Sequence, residues 1–317
     1  MPDMTADCRN ARDERLRLQR LQPALEMRAR MMAAIRRHLD SRGFLAVETP
    51  VRLPAPALED YIDAEPSGSQ WLRTSPELHM KRLLGAGYPQ IYQIGPCFRA
   101  GERGRRHLPE FTMLEWYRLN ASWRDILQDT QELLPQVLLD CLQQTSCQFR
   151  GHCVDFTPPW DEISVEQAFR KYASADLDQC LQDGTFEQVL VEQIEPHLGF
   201  TKPLVLSQYP LACSGLSQAI PGCPDRVERW ELYVCGLELG NACSELLDCQ
   251  EQERRFAACA ELRRQQNRPV YPLDQTFLET LRLGLPPAAG IAIGLDRLAM
   301  ILNHVDDIAA VVPFPEG

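Results

Sequence analysis

The sequence lacks the glycine-rich signatures of the common nucleotide sites. Neither GxxxxGK[ST] nor GxGxxG occurs in its 317 residues, which excludes a standard P-loop and a standard Rossmann phosphate site. Regular alternation of strands and helices is also missing, and this argues against a parallel α/β sheet. An excess of positive charge is missing too, because the formal net charge is -11. Proteins that depend on nucleic-acid phosphates usually carry a basic surface, so the composition disfavours a nucleic-acid binder.

Cysteine is present but forms no recognisable pattern. The 12 cysteines include no CxxC motif and no Cys/His pair at zinc-finger spacing, so we expect neither a disulfide framework nor a zinc site. The N-terminal segment MPDMTADCRNARDERLRLQR is charged and lacks the apolar region of a signal peptide. No apolar run approaches ~18 residues, so no membrane span is expected. The chain therefore has the features of a cytosolic protein in a reducing compartment.

The pattern of apolar residues predicts one large α+β domain. Residues 1–20 are polar and rich in arginine, which predicts a flexible N-terminal arm and leaves 21–317 for the domain. Helices gather before and after a series of hairpins, so we expect a largely antiparallel sheet flanked by helices. Within the domain, 143–205 is first irregular and then helical, which suggests an insertion-like helical region.

Periodicity and end signals predict the individual elements. The predicted helices are 27–42, 76–84, 123–142, 165–173, 186–198, 248–266, 274–283 and 295–303. The predicted strands are 44–48, 71–73, 90–95, 98–99, 111–119, 204–208, 229–235, 237–240 and 290–294. Ser122 with Asp125 predicts a capping box, and Gly236 predicts a tight turn between two strands.

The most informative stretch is 98–119, which reads FRAGERGRRHLPEFTMLEWYRL. In its final strand alternate side chains share a face, and that face carries Phe111, Met113, Glu115 and Tyr117. Burying an unpaired carboxylate is costly, so a core face does not normally carry a Glu between aromatics. The pattern is typical of a ligand floor and, equally, of an amphipathic edge strand with one solvated Glu.

A second stretch, GIAIGLDRL, joins a strand of small residues directly to a helix. Gly290 and Gly294 would let a ligand approach the backbone, and Arg297 in the first helical turn could bind phosphate. An ordinary Asp/Arg surface pair at the start of a helix is the alternative.

A third stretch, ELYVCGLELGNACSEL, is rich in acidic side chains near short strands. Glu231, Glu238, Asn241 and Glu245 suit a hard cation bound through oxygen, and they also suit a cationic substrate. Solvated acids on exposed strands are the alternative. A fourth, weaker signal is Glu77 in RTSPELHMK, which alone could be simple helix-capping charge.

Together these stretches resemble motifs 2 and 3 of the class II aminoacyl-tRNA synthetases, and 27–50 resembles motif 1, the dimer-forming element. The lysyl-tRNA synthetase subgroup is the closest, on RRHLDSRGFLAVETP, RTSPELHMKRLL, PEFTMLEWY and LELGNACSEL. The resemblance covers essentially 27–315 and implies the synthetase catalytic fold and a homodimer. Lysyl-tRNA synthetases also carry an N-terminal anticodon-binding β-barrel. We expect no such domain here, because the motif 1 element begins at about residue 27.

A catalytic core of this kind resembles the elongation factor P lysine ligases. That family activates lysine, preferably (R)-β-lysine, with ATP and attaches it to a lysine of elongation factor P. One alternative is a truncated lysyl-tRNA synthetase-like enzyme that charges tRNA or another acceptor, which the expected absence of the barrel and the acidic charge disfavour. The other is a non-catalytic synthetase-like binding or regulatory protein, which the surviving Arg99, Glu238, Glu245 and Arg297 disfavour.

The resemblance implies a set of nucleotide contacts. Arg99 is expected to bridge the lysine carboxylate and the ATP α-phosphate, Phe111 to stack on adenine, and Arg297 to hold the γ-phosphate. Mg²⁺ bridging the phosphates is expected on Glu231 and Glu238. The expected ATP-binding residues are Arg99, Gly101, Glu102, Leu108, Phe111, Glu238, Leu239, Gly294 and Arg297, of which Arg99 and Arg297 are also expected to be catalytic.

The resemblance also implies the substrate contacts. Glu77 is expected to bind the amino group nearest the carboxylate, and Asn241 to contact the carboxylate end. The residues expected around the far ammonium are Glu115, Tyr117 and Glu245, and the pocket also includes Ser75 and Ala292. The motif 3 strand of tRNA-charging relatives reads Gly-Ile-Gly, so Ala292 adds a methyl group that should crowd an amino group on the α-carbon.

The chain departs from the family pattern in the loop between the motif 2 strands. The usual Arg-Asn-Glu reads Arg99-Ala100-Gly101, with Glu102 one place later, so the acid that touches adenine is displaced. Either the loop shifts by one residue or Glu102 takes over the contact. Leu108 replaces the usual Asn before Pro-Glu-Phe. The same loop carries a basic patch that is expected to face the acceptor, formed by Arg103, Arg105 and Arg106.

Overall fold

The computed structural model of the protein describes residues 4–315 and the side chains of residues 11–315. Its helices are α1 (Met4–Ser41), α2 (Glu77–Gly85), α3 (Trp123–Leu142), α4 (Val165–Tyr172), α5 (Leu177–Asp183), α6 (Phe186–Val189), α7 (Cys249–Gln265), α8 (Gln275–Leu283) and α9 (Leu295–Leu302). A π-helical turn, Leu190–Ile194, and a 3₁₀ turn, Glu195–His197, continue α6.

The strands of the first half are β1 (Leu45–Ala46), β2 (Arg52–Leu53), β3 (Pro66–Ser67), β4 (Gln70–Leu72), β5 (Gln90–Phe98), β6 (Glu110–Leu119), β7 (Ser146–Phe149) and β8 (His152–Asp155). Those of the second half are β9 (Asp161–Ser164), β10 (Leu204–Ser207), β11 (Ala219–Ile220), β12 (Cys223–Val227), β13 (Arg229–Val234), β14 (Leu237–Ser244) and β15 (Ala288–Gly294).

Eight of these strands form the sheet that carries the candidate site. Their order is β1-β5-β6-β15-β14-β13-β10-β9. The pairs at the two edges, β1 with β5 and β9 with β10, are parallel, and the pairs between them are antiparallel. The predicted α+β architecture with a largely antiparallel sheet is therefore confirmed.

The two faces of the sheet pack against different helices. One face and the helices α1, α3 and α9 form the largest core, which includes Trp116, Leu134 and Leu298. The opposite face packs against α2, α7 and α8 through a second core, which includes Tyr117 and Phe277. Because neighbouring residues of a strand point to opposite faces, Trp116 and Tyr117 belong to different cores. The candidate site lies on the face that carries Tyr117.

The first helix is longer than the sequence pattern predicts. It spans Met4–Ser41, so residues 4–20 of the predicted flexible arm are helical, while residues 1–3 lie outside the described residues. Arg17 in this extension donates a hydrogen bond of 2.6 Å to the carbonyl oxygen of Pro313. The polar residues at the start of α1 therefore continue the helix that the sequence pattern predicts, and Arg17 connects them to the C-terminal segment.

The predicted insertion-like region, 143–205, is only partly helical. It begins with the β7–β8 hairpin, contributes β9 to the edge of the main sheet, and then continues as α4, α5 and α6. These helices pack on a third core with Phe169 and Phe186, which stack with ring centroids 5.5 Å apart. The region is therefore integrated with the sheet through β9 as well as through its own core.

The hairpin between β13 and β14 turns where the sequence predicts. Cys235 and Gly236 both have positive φ, at 48° and 68°, which is the backbone of a type I′ turn. The second strand runs to Ser244, beyond the predicted end at residue 240. Asn241 consequently lies in a strand and not in a turn, and its side chain has a fixed direction relative to the sheet.

The described residues bear on two expectations, the lack of disulfides and the lack of a membrane span. Every cysteine between residues 11 and 315 is a free thiol, in agreement with the expected lack of disulfides. In the same described part of the chain, no helix combines the length and apolar character that crossing a membrane requires.

Candidate active site

Two neighbouring rows of side chains cross the sheet on one face. Directly opposed residues of antiparallel strands point to the same side. The first row, from β5 to β13, contains Gln93, Glu115, Ala292, Asn241 and Glu231. The second row contains Ile91, Tyr117, Gly290, Cys243 and Arg229. Several of the predicted substrate residues therefore form one floor, although they come from segments that are distant in the chain.

Glu115 is the buried carboxylate at the centre of this floor. Its side chain is 1% exposed, and β6 lies between β5 and β15, so the alternative of a solvated Glu on an edge strand is wrong. Its Oε1 accepts a hydrogen bond of 2.7 Å from Ser75 Oγ, and its Oε2 accepts one of 2.7 Å from Tyr117 Oη. Burial and, next, the carboxylate of Glu77 raise the pKa of Glu115 to about 8.

Lys81 is a buried cation beside this floor that the sequence analysis missed. Its ammonium contacts Glu77 Oε1 at 2.6 Å and also pairs with Glu245, and both Lys81 and Glu245 are 1% exposed. Although burial opposes the charged form, the carboxylates of Glu245 and Glu77 raise the pKa of Lys81. The spacing of Glu77 and Lys81 on one helix, four residues apart, is a sequence signal that could have found this pair.

Gly290 provides space for a protein side chain and not for a ligand. A Cβ atom added at this glycine would lie 2.1 Å from Cδ1 of Tyr117, so the Tyr117 ring fills the space that the sequence analysis assigned to a ligand. The close packing explains why the strand needs glycine opposite Tyr117. At Gly294, by contrast, the nearest atom to an added Cβ is 3.6 Å away, on the side chain of Arg297.

Asn241 is held by a partly buried pair of opposite charge, Arg229 and Glu231. Its Oδ1 accepts a hydrogen bond of 3.2 Å from Arg229 Nε, and its Nδ2 donates one of 3.2 Å to Glu231 Oε1. Arg229 Nη2 donates to the same Glu231 oxygen at 2.6 Å, and Arg229 Nη1 donates to the carbonyl oxygen of Cys213 at 2.6 Å. These bonds fix which end of the Asn241 amide faces each neighbour.

The predicted metal pair, Glu231 and Glu238, is not assembled as a metal site. Glu231 Oε2 accepts hydrogen bonds from Tyr209 Oη at 2.6 Å and from Tyr233 Oη at 2.7 Å. With the two bonds to Oε1 described above, all four lone-pair positions of this carboxylate are in use. Among the residues that the structure describes, no group of three or more acidic, His or Cys side chains is arranged for a metal ion. The predicted role of Glu231 as a metal ligand thus does not fit this arrangement, whereas Glu238 retains an accessible carboxylate.

Arg99 has a donor group that no described residue satisfies. Its main-chain amide bonds the carbonyl oxygen of Pro109 at 2.8 Å, which closes the loop between β5 and β6. Its guanidinium carbon lies 5.2 Å from the centre of the Phe111 ring, and Nη1 is 3.8 Å from Glu102 Oε1. The buried Nε has no hydrogen-bond partner within the described residues. A buried cationic donor without a partner is the group expected at an anion site.

Arg297, the second predicted phosphate ligand, lies in the first turn of α9. Its Nη1 donates to the carbonyl oxygen of Glu238 at 2.7 Å and lies 3.2 Å from Glu238 Oε2. Its Nη2 lies 2.6 Å from His107 Nε2, and because an arginine can only donate, that imidazole nitrogen accepts. The pairing with Glu238 crosses between elements, so the alternative of a local Asp/Arg surface pair is wrong.

Some of the predicted nucleotide contacts cannot come from side chains. Leu108 and Leu239 are buried in the largest core, at 8% and 1% exposure, so a contact there would fall to their main chain. The prediction that Leu108 binds ATP stays a prediction, and the loop turns its apolar side chain into the core. Gly101 has a φ of 76°, a left-handed conformation that suits glycine, and it lies in the exposed part of the loop.

Comparisons with known proteins match this chain over most of its length. Residues 9–317 match the family model described as tRNA synthetases class II (D, K and N). The chain is 36% identical over 302 residues to the elongation factor P--(R)-beta-lysine ligase of Haemophilus influenzae, covering 90% of this chain and 93% of that protein. It is 36% identical over 308 residues to the protein of the same name from Salmonella gallinarum, covering 92% and 94%.

Lysine--tRNA ligases are similar over a comparable share of this chain. The lysine--tRNA ligase of Chloroflexus aurantiacus is 34% identical over 314 residues, which cover 91% of this chain. The chain spans 64% of the length of that relative.

Proposed function

Since this chain belongs to the class II tRNA synthetases of the D, K and N type, we propose that it is an ATP-dependent ligase of elongation factor P. In this proposal it activates (R)-β-lysine or lysine as an adenylate and attaches it to a lysine side chain of elongation factor P. The observation that carries the proposal is the acidic cluster of Glu77, Glu115 and Glu245 around Lys81, in a chain whose Arg99 keeps a buried donor without a partner among the described residues.

The charges of the pocket match a substrate with two ammonium groups. The ammonium of Lys81 contacts two carboxylates, those of Glu77 and Glu245, and Glu115 lies in the same pocket with a pKa raised to about 8. If a cationic substrate draws the proton from Glu115, the three carboxylates leave two negative charges for the substrate. Buried carboxylates without compensating cations are costly, so the pocket favours a dicationic amino acid over a neutral one.

The spare donor of Arg99 suits the first chemical step. A carboxylate oxygen of the substrate attacks the α-phosphorus of ATP, and pyrophosphate leaves. Negative charge increases on the α-phosphate oxygens in the transition state, where a positioned guanidinium stabilises it. In the second step, the amine of the acceptor lysine attacks the acyl carbon, and AMP leaves. Mg²⁺ accompanies ATP in this proposal, and of the two carboxylates predicted to bind it, Glu238 is the one with an accessible oxygen.

Elongation factor P is proposed as the acceptor on two grounds. The relatives from Haemophilus influenzae and Salmonella gallinarum carry that acceptor in their names and align over 93% and 94% of their length. The loop that joins β5 and β6 carries Arg103, Arg105 and Arg106 close in sequence to Arg99, and its exposed side chains suit an acidic partner. Arg105 and Arg106 lie 4.0 and 3.5 Å from the carboxylate of Asp306, which supports the loop without covering it.

The test of the proposed function has two parts. ATP–pyrophosphate exchange is measured with lysine and with (R)-β-lysine, and mass analysis then follows the label on elongation factor P and on tRNA. We expect exchange with at least one lysine isomer and a mass gain on elongation factor P. Exchange with neither isomer would overturn the proposal, and transfer to tRNA alone would support a lysyl-tRNA synthetase-like enzyme in its place.

A charge-reversal variant tests the acceptor surface separately. Changing Arg103, Arg105 and Arg106 to Glu should leave pyrophosphate exchange intact and impair transfer to elongation factor P, more strongly at low salt. The matched control reverses the charge of three exposed arginines elsewhere on the surface, namely Arg170, Arg254 and Arg264, by changing each to Glu. Equal transfer by the two variants would contradict the proposed docking surface.

We propose that two copies of the chain form a homodimer through the motif 1 segment. Leu45 in β1 and Val51 just before β2 are 49% and 36% exposed, and β1 forms the edge of the main sheet. An exposed apolar edge strand is a usual site of pairing with another chain. Light scattering of the purified protein should give twice the monomer mass, and Leu45→Lys should reduce it.

A further inference from the structure

One arginine of the first helix joins two segments that are far apart in the chain. Arg28, in α1, donates from Nη1 to Asp296 Oδ1 at 2.5 Å and from Nη2 to Thr112 Oγ1 at 2.8 Å. Asp296 lies in the first turn of α9, and Thr112 lies in β6, 184 residues earlier. A single guanidinium therefore holds the start of a helix against a strand of the main sheet.

The carboxylate of Asp296 also bonds the strand directly. The amide of Thr112 donates to Asp296 Oδ2 at 2.7 Å, so both oxygens of this carboxylate accept a hydrogen bond. The ladder between β15 and β6 ends at the pair of Gly294 with Met113, and Asp296 takes the next amide of β6. The side chains of Arg28 and Asp296 are only 17% and 5% exposed, so these charge-assisted bonds are largely shielded from water.

This three-way contact lies behind the sheet, away from the candidate site. Neighbouring residues of a strand point to opposite faces, so Thr112 faces α1 while Phe111 faces the site. The helices α1 and α9 pack together on the core of that rear face. Arg28 can therefore affect a bound nucleotide only through the residues that it holds.

Each partner of Arg28 is next in the chain to a predicted ATP contact. Phe111, which is expected to stack on adenine, precedes Thr112, and Arg297, which is expected to hold the γ-phosphate, follows Asp296. Adenine and the γ-phosphate are the two ends of ATP, so the separation of Phe111 and Arg297 has to match the length of the nucleotide. A misplacement of about 1 Å, even by a change far from the chemistry, can cost on the order of 10²-fold in rate.

We propose that Arg28 is a positioning residue that sets the separation between Phe111 and Arg297 and thereby the fit of the site to a nucleoside triphosphate. This inference rests on the proposed function, because it concerns the ATP that the proposed reaction uses. It implies that loss of Arg28 weakens a nucleotide that spans both side chains. A nucleotide that reaches only the adenine side should bind as before.

Two nucleotides of different length test this role. Calorimetry compares a non-hydrolysable ATP analogue, which reaches Phe111 and Arg297, with AMP, which has no γ-phosphate. We expect Arg28→Met to weaken binding of the analogue by about 10-fold or more, because a charge-assisted contact to the γ-phosphate is misplaced. AMP binding should change by less than about 2-fold, because Phe111 stays paired with Cys97 of β5. In pyrophosphate exchange, KM for ATP should rise while KM for the lysine substrate stays unchanged.

Arg118→Met is the matched control. Arg118 lies in the same strand and donates to both oxygens of Asp129 in α3, at 2.8 and 2.9 Å, so its loss also breaks a partly buried arginine–aspartate contact between β6 and a helix. Both variants should lower the melting temperature, and only Arg28→Met should change the ratio of the two nucleotide affinities. Arg28→Lys keeps the charge but lacks the fork that contacts two groups, so its loss should be intermediate.

Melting curves show which variants are folded, and if Arg28→Met is not, the affinity ratio in Arg28→Lys decides. Equal losses for the analogue and AMP, or an unchanged affinity for the analogue, would overturn the inference. Neither result affects the proposed function, because pyrophosphate exchange by the wild-type protein measures that function separately. A wild-type protein that does not bind the ATP analogue would overturn both.

Discussion

The amino-acid end and the nucleotide end of the candidate site are built differently. At the amino-acid end, Glu115, Lys81 and Glu245 are each 1% exposed, and each is bonded to another side chain of the pocket. At the nucleotide end, the side chains of Arg99 and Arg297 are 27% and 18% exposed. Their acidic neighbours lie at 3.8 and 3.2 Å, so these pairs are looser than those of the pocket.

The difference indicates where each kind of binding energy arises. A buried network with satisfied hydrogen bonds is rigid and discriminates between similar ligands, because a wrong ligand leaves buried charges unpaired. An open set of mutually paired charges can exchange its partners for phosphate groups at low cost. We therefore expect the amino-acid end to contribute to stability and selectivity, and the nucleotide end to contribute mainly to rate.

The largest effect on stability should follow the loss of the buried cation. Lys81→Met leaves the carboxylates of Glu77 and Glu245 without their ammonium partner. Removing one partner of a buried ion pair typically costs about 3–5 kcal/mol. Urea unfolding at neutral pH should show a fall of that size in the free energy of unfolding.

A surface pair with the same spacing provides the control. Arg170 and Glu166 are also four residues apart on a helix, but the side chain of Arg170 is 76% exposed. Arg170→Met should cost at most about 0.5 kcal/mol, as is usual for exposed pairs. If both variants lose the same small amount, the buried ammonium does not hold the amino-acid end together.

The nucleotide end should respond in rate and not in stability. Arg99→Ala removes a donor whose Nε has no partner among the described residues, so the fold loses little. Loss of one charge-assisted contact to the transition state typically costs ~3–4 kcal/mol, or ~10²–10³ in rate. Pyrophosphate exchange should fall by that factor while the melting temperature stays within a few degrees of wild type. Near-normal exchange would rule out the assigned role.

The pH dependence of the free energy of unfolding should report on Glu115 at the amino-acid end. Burial raises the folded-state pKa of Glu115 to about 8, whereas an unfolded Glu titrates near 4.3. Between these values the folded protein holds a proton that the unfolded chain does not, so stability falls as pH rises through this range. One such group lowers the free energy of unfolding by at most about 1.4 kcal/mol for each pH unit in this range.

Glu115→Gln is the variant that tests this assignment. The amide oxygen of the glutamine can still accept the hydrogen bond from Ser75 Oγ, and the side chain no longer titrates. Unfolding measured from about pH 5 to pH 8 should therefore show a smaller slope than wild type. A slope that stays unchanged in the variant would mean that other groups cause the decline.

The sequence predicts the local elements of this site better than its long-range pairings. The capping box at Ser122, the turn at Gly236 and the strand with Glu115 follow from patterns within a few residues, and the structure has all three. The pairing of Lys81 with Glu245 joins segments that are far apart in the chain, so no local pattern contains it. For the same reason, the sequence alone assigned the space at Gly290 to a ligand when a tyrosine ring fills it.

The smallest expected effect concerns selectivity between lysine isomers. Ala292 is directly opposed by Glu115 on one side and by Asn241 on the other, so its methyl group lies on the pocket floor. An amino group on the α-carbon should crowd this methyl, whereas one on the β-carbon is displaced by one carbon. One methyl group is worth about 1–3 kcal/mol of discrimination, and we expect the lower end, ~10-fold, because the substrate can shift.

Ala292→Gly should accordingly raise kcat/KM for α-lysine relative to (R)-β-lysine in pyrophosphate exchange. Ala289→Gly is the matched control, because it removes a methyl group from the same strand at a position buried in the core. The control should lower stability through the lost packing and leave the ratio of the two isomers unchanged. If Ala292→Gly also leaves that ratio unchanged, the methyl group only packs the strand, and the selectivity of the amino-acid end must come from its charged side chains.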